Sequence, residues 1–354
     1  MASTKLTRTH GTATNTKKYT WSAWIKRGNI GTQETLVRTR TSDTNYARFR
    51  TDPDKLEFTD TISGSQITQL ISNEKLKDSN AWYHVVLKVD YTQASAADRA
   101  KIYLNGSEVS YATATRPSQD SNSFFNSANG HAIGTYNDNH YFFGAMSHVH
   151  FTDGYAYDAS TFGSTDATTG EWKINTAPSV TYGTNGYFIL KDANGVTDQS
   201  GNSNNFTVGG GTLTTLQDNP SNNFSTLNTR IRTSGGAFSQ VMNTFTDTSG
   251  SYQTGFSSQG MLNGQGKYYA EFKVVSGSSL LFGIADYKDG GVIDRIQQGQ
   301  TRYLGEYANS YGYQRSGLFY YNGSSTSTNY DSFTTNDIIG MAVDMDNLKI
   351  YWHK

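Results

Sequence analysis

Residues 81–90 read AWYHVVLKVD. Their side chains alternate with a period of two. Tyr83, Val85, Leu87 and Val89 fall on one face, and Trp82, His84, Val86 and Lys88 on the other. This is the period of a strand, in residue types that favour a pleated surface. Both faces carry large apolar groups, so cover is expected on both sides. Residues 19–25, YTWSAWI, repeat the pattern, with Tyr19, Trp21, Ala23 and Ile25 on one face. Downstream, Lys101–Leu104 runs into Asn105-Gly106, a dipeptide that favours the type I′ turn of a two-residue hairpin, and 108–113 returns. Between these strands, residues 95–100 are the best helix candidate, a single turn.

Working outward, short strand-like runs continue at Glu34–Arg40, Asn45–Arg50, Lys55–Thr59, Ser65–Ser72, His131–Thr135, Phe142–Thr152 and Tyr187–Lys191. A second series includes Tyr268–Val275, Leu280–Ala285, Tyr311–Tyr313, Leu318–Tyr321, Ile338–Asp344 and Leu348–Trp352. Between the series lies a polar stretch with turn chemistry at Ser200-Gly201 and at the triple glycine 209–211. Short strands with Gly-rich turns indicate sandwiches or barrels. The 354-residue length suits two or three domains. Aromatic residues make up 13%, with 24 Tyr and 18 Phe, which sets the chain apart from a disordered one. The fold class expected is all-β.

Composition also narrows function. The formal net charge is −1 and the basic groups Lys17-Lys18 and Lys26-Arg27 are isolated, so no nucleic-acid partner is expected. The chain has no cysteine, which excludes disulfides, thiolate metal sites and a Cys nucleophile. No apolar run reaches the length of a membrane helix, and the first residues lack the apolar core of a signal peptide.

Trp82-Tyr83-His84-Val85 with Tyr103-Leu104-Asn105-Gly106 resembles the laminin-G-like, concanavalin-A-like lectin sandwich. Ile133-Gly134, Phe143-Gly144-Ala145-Met146 and Val149 resemble later strands of that family. Gly266-Lys267-Tyr268-Tyr269-Ala270-Glu271-Phe272, Gly283-Ile284-Ala285 and Asp337 through Asp344 resemble the SPRY pattern. The stretches LTRTHGTATNTKKYTWSAWIKRG (6–28), TDQSGNSNNFTV (197–208) and DNPSNNFSTLN (218–228) resemble large virion proteins of marine bacteriophages, cyanophages in particular. The resemblance implies two tandem antiparallel β-sandwiches, jelly-roll and concanavalin-A-like, then SPRY-like. It places an N-terminal arm or first strand at 1–18, the first sandwich at 19–208, a linker at 209–228 and the second sandwich at 229–354. SPRY domains continue past the strand that ends near Trp352, so the second sandwich is expected to be incomplete, as in a fragment of a longer protein.

Catalysis finds little support in the residues. A retaining glycosidase needs two carboxyl groups about 5–5.5 Å apart. Asp52 and Asp54 flank Pro53 in a turn, and Asp344 and Asp346 sit at a hairpin. His148 and His150, at i and i+2, are expected to share a face with Met146, either as metal ligands or as a polar sheet face. His84 is expected to be a packing residue. Calcium, if bound, is expected at the rim loops through Asp138, Asn139, Asp198 and Asn202, which equally suit Asx-turns. Glycan contact in such modules uses Asn or Asp, a backbone N–H and a stacking aromatic. Tyr136, Asn137, Asp138, Asn139, His140 and Tyr141 have that composition, as do Asn309, Tyr311 and Tyr313; both groups also suit a subunit contact.

The function expected is a non-enzymatic structural and adhesion protein of a phage virion: a tail fibre, an appendage or a capsid-surface component. It would be made in the host cytoplasm without a signal peptide and would be homo-oligomeric. Its partners would be other virion proteins and host-surface glycans, with no membrane insertion. A scaffold without a glycan ligand is the alternative, and a polysaccharide depolymerase the third reading.

Overall fold

The strand Trp82–Asp90 pairs on one side with Lys18–Arg27 and on the other with Ala100–Leu104. These form the middle of a six-stranded antiparallel sheet, which continues through Gly144–Asp153 to Tyr187–Ile189 and, at the other edge, to Ser107–Glu108. An eight-stranded antiparallel sheet faces it. In order its strands are Tyr111–Thr115, Ser65–Lys75, Lys55–Ile62, Tyr46–Asp52, Glu34–Arg40, Gly130–Ile133, Lys5–Thr9 and Thr207–Gly210. This is the jelly-roll sandwich implied by the resemblance. The computed structural model describes residues 3–191, 193, 195–239, 242–262, 264–326 and 330–354.

The chain divides into two compact units, Met1–Phe224 and Ser225–Lys354. In the first, the faces read from the sequence meet between the sheets. Tyr19, Trp21, Ala23, Ile25, Val85, Leu87 and Val89 join Phe49, Phe58, Phe125 and Phe151 in one buried cluster. Each such large side chain taken fully out of water contributes about 1.5–3 kcal/mol. The Asn105-Gly106 turn has positive φ at both residues, 48° and 85°, as a type I′ turn requires. Gly106 is needed twice over, because a Cβ there would collide with the Trp172 indole. The helical turn falls at Ala96–Arg99.

The outer face of the six-stranded sheet is covered as well. Trp172, on the small hairpin Gly163–Thr165/Trp172–Ile174, donates its indole N–H to His84 Nδ1 at 3.0 Å. Trp24 stacks on the His84 ring, with centroids 5.0 Å apart. One face-sharing expectation fails here. A bulge at His148 (φ 50°) interrupts the pairing with Lys18–Arg27. Met146 therefore packs against the core, while His150 lies opposite Ser22 and stacks on Phe188 at 3.9 Å. The inserted residue shifts the alternation by one, so Met146 and His150 point to opposite faces.

Lys5–Thr9 is a strand, paired with both Gly130–Ile133 and Thr207–Gly210. Residues 209–224, most of the linker expected at 209–228, belong to the first unit. The reason is a buried ion pair. Lys26 Nζ donates to Asp218 Oδ2 at 2.6 Å, Asn223 Oδ1 at 2.7 Å and the Phe224 carbonyl at 2.8 Å. Asp218 also accepts the Trp82 indole N–H at 2.8 Å. A lysine on a covered sheet face needs an anion, and the polar stretch supplies it.

The second unit has a smaller core of Val274, Tyr313, Phe333 and Ile339. Lys267–Lys273, Ile338–Asp344 and Lys349–His353 form one antiparallel sheet, and Leu281–Ala285, Ser310–Gln314, Phe319–Tyr321 and Ser324–Ser325 another. A helix at Val292–Gln297, not anticipated, buries Val292, Ile293 and Ile296, whose helical spacing was legible.

Replacing Asp218 by Asn leaves the Lys26 ammonium buried without its counter-charge. Urea unfolding of the first unit is expected to show a loss of about 3–5 kcal/mol, with much of it recovered in the Lys26→Met/Asp218→Leu double variant. A single-variant loss under about 1 kcal/mol would count against this account.

Candidate functional site: an arginine- and tyrosine-bearing sheet face

The loop 135–141 projects beside the outward face of the eight-stranded sheet. It is closed by the Phe142 N–H to the Gly134 carbonyl at 3.0 Å and anchored by the Thr35 N–H to the His140 carbonyl at 2.9 Å. Asp138 and His140 have positive φ, 55° and 46°, a conformation that Asn, Asp and His adopt more readily than most residues. Asn137, Asp138, Asn139 and His140 are exposed, while Tyr136 and Tyr141 are half-buried. The Asp138 carboxylate pairs with Lys5, which holds it below the usual carboxylate range, and accepts from the Tyr141 hydroxyl at 3.4 Å.

Tyr136 meets the sheet. The Arg48 guanidinium lies over its ring at 4.8 Å and that of Arg40 at 5.5 Å, while Tyr46 meets it edge-on at 5.7 Å. Arg38, Arg40, Arg48 and Arg50 project from two adjacent strands onto this outward face, because Val37, Thr39, Ala47 and Phe49 between them turn inward. The strand repeats Arg38-Thr39-Arg40 and Arg48-Phe49-Arg50 show this period-two placement in the sequence. The composition-level reading, which looked for runs of adjacent charges, missed it.

The second candidate group is divided by the fold. Tyr313 is a core residue, 5% exposed, with its hydroxyl donating to the Asp331 carbonyl. It is thus not available to a glycan, because Phe333 and Trp352 pack against its ring. Tyr311 lies flat against Tyr321, centroids 4.9 Å apart, and the Asn309 carbonyl accepts the Asp286 N–H at 2.8 Å.

The calcium candidates do not converge. Asp198 spends both oxygens on its own loop and the adjoining strand, accepting from Phe188 N at 2.8 Å, Ser200 N at 2.9 Å, Ser200 Oγ at 2.7 Å and Asn204 N at 2.8 Å. Asn202 donates to the Gly183 and Gly186 carbonyls. Among the described residues, no three His, Asp or Glu side chains group as a metal site. The carboxylates weighed for catalysis are likewise engaged. Asp54 pairs with Arg27 and accepts the Gly31 N–H, Asp52 accepts from Gln33, Asp344 caps Asn347, and Asp346 accepts the Gly266 N–H. No described helix is long and apolar enough to cross a membrane.

A family model described as the concanavalin A-like lectin/glucanases superfamily, of laminin G type, matches residues 2–160, and one for the SPRY domain matches residues 267–354. No curated protein matches the chain. Among solved structures, the native heptameric SAP-like pentraxin from Limulus polyphemus is 16% identical with a TM-score of 0.34, over 51% of this chain and 89% of that one. A putative carbohydrate-binding protein from Bacteroides ovatus is 18% identical with a TM-score of 0.35, over 61% of each chain. Domains LG4-5 of the mouse laminin alpha1 chain are 10% identical with a TM-score of 0.36, over 96% of this chain and 69% of that one. At such scores these likenesses carry no weight on their own. The all-β, laminin-G-like fold rests on the strand order and the family matches.

Burial depresses the pKa of four imidazoles in the first unit, from which acid sensitivity is expected. Burial pushes His10 and His84 down to about 3, and holds His131 and His150 well below their ordinary 6.5. His131 is held neutral between the Thr39 and Tyr187 hydroxyls, each at 3.0 Å. The unfolded chain protonates all four near pH 6.5, so their contribution falls as pH drops from about 6.5 toward 3. Buried Asp60 and Glu34 act oppositely. Desolvation raises each to about 7, so their contribution falls as pH rises from about 4 to 7. Four groups against two leave a net loss on acidification. The thermal midpoint of the first unit is expected to be lower at pH 5 than at pH 7; a higher midpoint at pH 5 would show that the carboxyl groups dominate.

Proposed function

We propose that this chain is a non-enzymatic adhesion component of a bacteriophage particle that holds sugars of the host surface on its laminin-G-type sandwich. The observation that carries the reading is the Tyr136 ring, half-exposed beside the open sheet face and set in place by Arg40, Arg48 and Tyr46. An immobilised aromatic ring beside polar loop groups is suited to a sugar, whose C–H faces stack on it while its hydroxyls bond to Asn137, Asn139 and backbone N–H groups. Pre-setting the ring reduces the ordering entropy lost on binding.

The virion assignment rests on the resemblance of 6–28, 197–208 and 218–228 to phage virion proteins. The tandem sandwiches suit an appendage, where many copies turn weak contacts into avidity. Against catalysis, the carboxylates that could have formed a pair are bound into turns and ion pairs. In a scaffold without a ligand, the same loop would be covered by a neighbouring virion subunit.

The test is binding of the purified chain to host-surface polysaccharide. Tyr136→Ala is expected to weaken it about tenfold with an unchanged thermal midpoint. Undiminished binding in Tyr136→Ala and in Tyr141→Ala would remove the loop from the site, and absence of binding by the unmodified chain would favour the scaffold.

A further inference from the structure

Four cations crowd the outward face of the eight-stranded sheet, and two of them make no ion pair among the described residues, their nearest counter-charges, Asp138 and Glu57, being already engaged by Lys5 and Arg50. Arg38 and Arg48 are direct cross-strand partners, and Arg40 faces Tyr46 one step along. Side chains so placed lie about 5 Å apart at Cβ, where like charges destabilise the sheet. The neighbouring cations are compensated: Arg40 pairs with Asp43 at 2.7 Å, Arg50 with Glu57 at 2.9 Å, and Lys5 with Asp138. Arg38 and Arg48 make no ion pair among the described residues. Arg38 donates to the Gly130 carbonyl at 3.3 Å, and Arg48 rests over the rings of Tyr46 and Tyr136.

The Nε atoms of Arg38, Arg40 and Arg48 are all shielded from water without an acceptor. A guanidinium N–H buried in this way is costly to leave unpaired. Beside Arg38 the surface dips into a shallow depression of about 230 Å³, whose lining includes Thr7, Thr9, Gly130 and Ala132. The face thus joins small neutral residues, an aromatic ring and two guanidinium groups outside any ion pair, whose half-exposed outer ends, not the shielded Nε atoms, are what a ligand can reach.

We propose that this face binds an acidic polysaccharide through its carboxylate groups, with Arg38 and Arg48 pairing the acid and Tyr136 stacking the sugar. The proposal rests on the glycan-binding reading above and specifies the class of glycan. The planar guanidinium fork matches a carboxylate in two parallel hydrogen bonds. The open face suits an extended polymer better than a small enclosed anion. Nucleic acid fits poorly, because Asp43, Asp52, Glu57 and Asp138 border the arginines and would repel a continuous phosphate backbone.

The experiment measures binding of the whole chain to three immobilised probes: polygalacturonate, its carboxyl-reduced neutral polymer, and dextran sulfate. Polygalacturonate is expected to bind at least tenfold tighter than the neutral polymer, more weakly as salt rises. Arg38→Gln/Arg48→Gln is expected to lose at least tenfold on polygalacturonate without a lower thermal midpoint, since it also removes two opposed charges. Arg48→Lys, which keeps the charge but loses the fork, is expected to fall between. Arg230→Gln, an exposed arginine of the second unit, should change nothing. Equal binding to the neutral polymer would overturn the acidic assignment and leave the glycan reading standing; no binding to any probe would overturn the acidic assignment, and the glycan reading then falls only if host-surface polysaccharide is also unbound. Preference for dextran sulfate with polygalacturonate unbound would overturn the carboxylate assignment. An equal loss in Arg230→Gln would reduce the effect to overall charge.

Discussion

Nine successive cross-strand partners, from Lys18 opposite Asp90 to Lys26 opposite Trp82, join two strands that are covered on both faces. On the inner side, Tyr19, Trp21, Ala23 and Ile25 close the sandwich with Val85, Leu87 and Val89. On the outer side, Trp24, His84 and Trp82 cannot face water without leaving large apolar area exposed. The chain therefore folds segments from 155–182 and 218–224 back over them. The Trp172 bond to His84 and the Asp218 bonds to Lys26 and Trp82 are how that cover is held. Much of the polar, loop-rich sequence of the first unit is there to close this second face.

The opposite sheet is organised differently. Its inner face joins the core, while its outer face carries arginines, Glu57, threonines and tyrosines that pack against one another, with Arg50, Glu57 and Thr59 buried among them. The loop 135–141 is tied to this sheet by the Thr35–His140 backbone bond and by Lys5 on Asp138. One sheet thus leaves an aromatic ring and guanidinium groups on its outer face, while the outer face of the six-stranded sheet is covered. The division of labour between the two faces of the sandwich follows from which strands carry apolar residues on both sides.

The strands with clean alternation were legible at once, as was the Asn105-Gly106 hairpin, because period-two patterning and turn chemistry are local. Within the candidate site, the sequence pointed to the Tyr136–Tyr141 loop through its composition. It did not point to Arg40 and Arg48, which reach Tyr136 only because Glu34–Arg40 and Tyr46–Asp52 pair in a particular register. Tyr313, on an expected strand, was grouped with Asn309 and Tyr311 as a contact residue and is core, since which face of a strand is buried is not marked in a Tyr-Gly-Tyr run. Met146 was misplaced because a one-residue bulge has no distinct sequence signature. Asp198 and Asn202 have the composition of a cation loop, yet their oxygens and amides are consumed by neighbouring backbone.

Alternation, the absence of cysteine and the turn dipeptides together determine an all-β chain without disulfides, since these depend on nearest neighbours along the strand and on residue chemistry alone. Which polar residues are buried, and which charges are left without partners, is decided only in the tertiary structure. Lys26 meets Asp218 across 192 positions of chain, and Arg38 meets Arg48 through strand pairing. Electrostatic and hydrogen-bond partners act over a few ångströms in space, and sequence distance carries almost no record of them.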